Sequence, residues 1–70
     1  MIVYVLTFHG GEGNATFGML GAFSSMKKAY SAMPVWFDKG EEIEEEEDRG
    51  EDKVIYTNVD IYLIEKVLVN

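Results

Sequence analysis

Between Glu41 and Asp52 the chain reads EEIEEEEDRGED, a stretch expected to stay in solvent and so to contribute little to a core. It holds nine acids and one arginine, a net charge of −8. Elsewhere Lys27, Lys28, Lys39, Lys53 and Lys66 face Glu12, Asp38, Asp60 and Glu65, five bases against four acids, or +1, which gives the chain its total of −7. Ionised carboxylates are costly to take out of water, so the core must come from the flanking segments. As a helix the stretch would stack Glu41 on Glu45, Glu42 on Glu46 and Glu44 on Asp48, each pair destabilising by about 0.2–0.5 kcal/mol. Ile43 is its one apolar anchor. Residues 41–53 are therefore expected to form a flexible, solvated insertion within a single domain spanning 1–70.

The flanks carry the folding signal. Ile2 to Phe8 is β-branched and aromatic, with Ile2, Tyr4, Leu6 and Phe8 on one face and Val3, Val5 and Thr7 on the other, which predicts a strand buried on both sides. His9-Gly10-Gly11-Glu12-Gly13-Asn14 suits a hairpin connection, and Ala15 to Phe23 reads as the returning strand, with Gly18 and Gly21 marking a bulge or a close backbone approach. Ser24 or Ser25 can cap a helix carrying Met26, Ala29, Tyr30 and Met33 at helical spacing, and Pro34 stops or kinks it. After the acidic stretch, Val54 to Thr57 and Asp60 to Val69 are again rich in strand formers.

A right-handed crossover from the second strand through the helix to the last strand leaves a gap that the first strand fills. The expected fold is α+β: β-β-α-β, a three-stranded sheet of order 2-1-3 with one main helix on one face and an acidic loop before the last strand. The other face keeps apolar side chains. A chain of 70 residues without cysteine buries only about 60% of its unfolded surface and needs reinforcement, so a sheet-to-sheet homodimer is expected. The alternative is that Pro34 to Gly40, with Trp36 and Phe37, folds across that face.

The VYVL strand, the glycine-rich turn, Gly21-Ala22-Phe23-Ser24-Ser25 leading into a Lys-Lys-Ala helix, and the terminal YLIEKVLV strand resemble a family of short uncharacterised bacterial and phage proteins. The resemblance covers most of the chain outside 38–56. It implies the β-β-α-β fold and a bacterial or phage origin, and it transfers no functional residue.

The charge makes direct nucleic-acid binding unfavourable. The N-terminus lacks the basic region and the apolar length of a signal or membrane span, which points to a cytoplasmic protein. His9 has no spacing that groups it with Ser24, Ser25 or Ser31 and a third orienting group, so catalysis is not expected. Asp48, Gly50 and Asp52 miss the register of a calcium loop, and neither metal nor cofactor is expected. The residues expected to act are Glu44, Glu45, Glu46, Glu47 and Asp48, engaging a basic groove on a host protein in partial imitation of DNA, with Trp36 and Phe37 as apolar anchors. The competing expectation is a structural or regulatory homodimer in which the acidic segment is a solvated loop.

Overall fold

The computed structural model describes residues 1–10 and 17–70, so residues 11–16, where the glycine-rich connection and the start of the returning strand are expected, lie outside it. Five strands form one sheet in the order β2-β1-β5-β4-β3: β1 Ile2–Gly10, β2 Phe17–Phe23, β3 Ile43–Arg49, β4 Asp52–Thr57 and β5 Asp60–Leu68. Every neighbouring pair is antiparallel. Helix α1, Met26–Ala32, and a 3₁₀ turn, Met33–Trp36, connect β2 to β3.

The three-stranded sheet with an acidic loop is thereby corrected. The acidic stretch is strand β3, and it pairs with a separate strand β4 to extend the sheet beyond the last strand. Like charges at i,i+4 disfavour a helix but not a strand, because successive side chains on a strand point to opposite faces. Arg49 pairs with Asp52 across a two-residue turn whose first residue, Gly50, has φ 65°, the arrangement that short hairpins favour. Charged residues on an edge strand also prevent unwanted pairing with other chains. A register shift between Ile43 and Glu45 leaves Glu44 as an extra residue, a bulge of the kind that commonly blunts an edge.

Helix α1 begins where Ser25, in extended conformation, accepts the Lys28 N–H on its hydroxyl at 3.1 Å. Pro34 lies in the first turn of the 3₁₀ segment, where its missing N–H costs nothing. Ala29 and Met33 pack onto Leu6, Ile55, Tyr62 and Ile64, all fully or almost fully buried, and this cluster is the core. Each large apolar side chain so buried contributes roughly 1.5–3 kcal/mol. Gly18 has its place because the Phe8 ring lies across it: a Cβ there would stand 2.3 Å from Phe8 Cε1.

Alternation along the strands assigns the opposite face to Val3, Val5, Thr7, Val54, Leu63 and Val67. Both helical segments lie over the core face, so no described helix covers this second face. Met19 and Ile61 are exposed on it, whereas Thr7 and Val54 are buried. The Thr7 hydroxyl has no hydrogen-bond partner among the described residues. No described helix is long and apolar enough to cross a membrane.

Candidate functional site

Strand β3 occupies one edge of the sheet, so its outer backbone groups are unpaired by any described strand. Pairing with β4 decides which way each carboxylate faces. Glu46 stands opposite Ile55 and Asp48 opposite Lys53, on the core face beside the helix; Glu45 stands opposite Tyr56 and Glu47 opposite Val54, on the open face.

The inner carboxylates are held by a compact network. Lys53 Nζ lies 3.2 Å from Glu46 Oε1 and 3.6 Å from Asp48 Oδ1, and 5.2 Å from the centre of the Tyr30 ring. Tyr30 Oη donates to Glu46 Oε2 at 2.5 Å, tying the edge strand to the helix. The Tyr30 hydrogen bond first, and Lys53 next, hold the Glu46 carboxyl below its usual range. Glu46 in turn raises the pKa of both Tyr30 and Lys53. Along the strand, Arg49 Nε donates to Glu47 Oε1 at 2.7 Å, which lowers the pKa of Glu47. At the turn, Lys66 Nζ donates to Glu51 at 2.6 Å, and the Lys66 N–H donates to Asp52 Oδ1 at 3.0 Å, so a side chain continues the β4–β5 ladder.

Glu44 and Glu45 are exposed and make no ion pair among the described residues. They are the outward charges of the strand. From Glu44 to Asp48 every residue is acidic, and because successive side chains face opposite sides of the sheet, carboxylates on one face stand about 6.6–6.8 Å apart. Lys53 and Arg49 offset part of that charge.

Glu41 belongs to the same run of sequence but has a different task. It is buried, and its carboxylate accepts the Asp38 N–H at 2.8 Å and the Thr57 hydroxyl at 2.7 Å. Thr57 Oγ1 also accepts the N–H groups of Val59 and Asp60, while the Asn58 side chain accepts the Glu42 N–H and donates to the Gly40 carbonyl. This lock joins the turn at Asp38–Glu41, where Gly40 has φ 83°, to the β4–β5 turn. Nothing in the run EEIEEEE distinguishes its first carboxylate from the rest; the distinguishing partners, Thr57 and the Asp38 amide, are set by the tertiary fold.

The aromatic residues are placed apart from the acidic strand. The Phe37 ring is half-buried, with its centroid 5.4 Å from that of Tyr62, and so belongs to the core. Trp36, 40% exposed, lines a cleft with Phe8, Leu20, Asp38, Asp60 and Tyr62, over β1, β2 and β5. Strand β4 separates that region from β3.

His9 and Ser24 fall at opposite ends of β1. Phe23 pairs with Tyr4, five residues from His9, a span of about 17 Å along a strand. Ser25 is occupied as the helix cap and Ser31 lies on the helix. No group of three or more Asp, Glu or His side chains among the described residues is placed to hold a metal. No family model, curated protein or solved structure matches the chain.

Proposed function

We propose that this chain is a non-enzymatic interaction protein whose β3 edge engages a basic groove on a nucleic-acid-handling or defence protein, and inhibits it by occupying the path of the nucleic acid. The carrying observation is the run from Glu44 to Asp48, five consecutive acids that a strand at the sheet edge holds in fixed positions. A groove that binds phosphates meets here a charged strand already held in place by Tyr30 and Lys53, so less ordering entropy opposes binding than for a mobile acidic loop. The resemblance to bacterial and phage proteins points to a bacterial host and to action in its cytoplasm. Association of this kind is fast and weakens steeply with salt.

The test compares the natural chain with a Glu44→Gln, Glu45→Gln, Glu47→Gln variant in affinity capture from a bacterial lysate at low and high salt. Glu46 and Asp48 are left intact because they hold the strand. Retention of a nucleic-acid-binding protein by the natural chain at low salt, and its loss from the variant, is the expected result; equal capture by both chains, or capture by neither, refutes the reading.

A second reading rests on the open sheet face, where Val3, Val5, Leu63 and Val67 are partly or largely out of solvent and Met19 and Ile61 are exposed. There the chain is a structural or regulatory homodimer, and Leu63→Lys converts it to monomer in sedimentation. An unchanged sedimentation coefficient, or a natural chain that is already monomeric, rejects it.

A further inference from the structure

The cleft walled by Trp36 is separate from β3 in residues and in place. Its volume is about 220 Å³, and it is lined by Phe8, Leu20, Trp36, Asp38, Asp60 and Tyr62. Sites for small molecules commonly span about 300–1,000 Å³, so this one fits a single side chain better than a free ligand. Its chemistry is specific: aromatic rings form walls, and two acidic residues stand among them. The cleft is acidic, because Asp38 and Asp60 line it and the buried Glu41 carboxylate accepts the Asp38 N–H. All three raise the pKa of the Tyr62 hydroxyl, after burial itself.

We propose that this cleft takes the guanidinium of an arginine residue presented by a partner protein, stacked on Trp36 and paired with Asp38 and Asp60. An aromatic face attracts a cation through its quadrupole, and the planar, weakly hydrated guanidinium stacks on it better than an ammonium does. Carboxylates accept the guanidinium N–H groups as charge-assisted bonds, in a fork geometry that lysine lacks. The apolar floor of Phe8 and Leu20 suits the methylene stem, which long cationic side chains bury while keeping the head at a polar rim. The site does not require the β3 reading, and its test involves none of the β3 carboxylates.

Trp36 is the chain's only tryptophan, so its fluorescence reports occupancy directly. The natural chain is titrated with N-acetyl-arginine methylamide, with the lysine analogue, and with the neutral citrulline analogue, which has almost the same shape. The expected result is a saturable change with the arginine probe, and affinity at least about tenfold weaker for the other two, the loss expected when a charge-assisted contact is removed. Asp38→Asn and Asp60→Asn each weaken the arginine probe by about tenfold, with urea midpoints recorded to show that both variants are folded. No saturable change in the natural chain, or equal binding of the citrulline analogue, overturns the proposal without relying on any variant. Equal binding of the lysine analogue overturns the guanidinium assignment, and unchanged affinity in both folded variants overturns the role of the carboxylates.

Discussion

Replacing Lys53 with Met tests whether the acidic strand is ordered by charge. Methionine keeps much of the length and the apolar stem, so the principal loss is the ammonium group. The Lys53 side chain is 22% exposed and its partner Glu46 34%, so this pair falls at the upper end of the roughly 0.2–1 kcal/mol measured for accessible ion pairs. Asp48 is 80% exposed and adds little. The ammonium 5.2 Å from the Tyr30 ring centre adds about 0.5–1 kcal/mol as a cation–π contact. The expected loss is about 1–2 kcal/mol, a sizeable share of the roughly 4–10 kcal/mol available to a chain of this length. Thermal unfolding followed by circular dichroism should show Tm lowered by about 5–15 °C at low salt, since each kcal/mol shifts a domain of this size by about 4–8 °C. Raising ionic strength to 1 M shortens the screening length to about 3 Å and should close roughly half of that gap. Lys53→Arg retains the charge and should retain most of the stability. An unchanged Tm for Lys53→Met, or a deficit that does not respond to salt, refutes the claim that this cation holds β3 in the sheet.

Two further outcomes follow from the packing and from burial. Gly18→Ala drives a Cβ to within 2.3 Å of Phe8 Cε1, so the ring must move; net destabilisation of about 1–2 kcal/mol in urea unfolding is expected, with a shift in Trp36 emission because Phe8 lines the same cleft. The Tyr62 hydroxyl, its pKa pushed up chiefly by burial and then by Glu41, contributes stability that is complete below the unfolded value of 10.0 and is lost as pH rises above it, because the unfolded chain ionises first. Stability measured from pH 8 to 11 should therefore fall more steeply in the natural chain than in Tyr62→Phe, and equal slopes refute that assignment.

The sequence made the flanking strands and the helix cap legible through local signals. The alternation in Ile2–Phe8, the run Asp60–Val69 and the serines before Met26 coincide with β1, β5 and the Ser25 cap. The β3–β4 hairpin was not legible, because glutamate is a poor strand former and a block of acids ordinarily stays solvated. What makes the strand is non-local. Lys53 is in register with Asp48, Tyr30 reaches Glu46 from the helix, and Lys66 reaches Glu51 and Asp52 from β5. The one local clue, Arg49-Gly50-Glu51-Asp52 as a tight turn between Ile43 and Val54, is outweighed by the seven acids that precede it. For the same reason the separation of Trp36 from the carboxylates was invisible: proximity in sequence suggested one surface, and the crossing of the helix over the sheet made two.

The two edges of the sheet differ in what they permit. Strand β2, Phe17–Phe23, carries no charged residue, while β3 is acidic from Glu44 to Asp48 and bulged at Glu44. A second copy approaching β3 with its own β3 would bring two acidic rows about 4.8 Å apart, the spacing of paired strands, and repulsion forbids it. Like charge thus disfavours pairing of this edge with a second copy of itself. Lys53 offsets part of the charge of Glu46 and Asp48, which face the helix, whereas Glu44 and Glu45 keep their charge toward solvent. A uniformly unpaired row would destabilise the strand by repulsion between its carboxylates. Holding the inner acids while the outer ones keep to solvent is what allows so acidic a segment to fold as a strand.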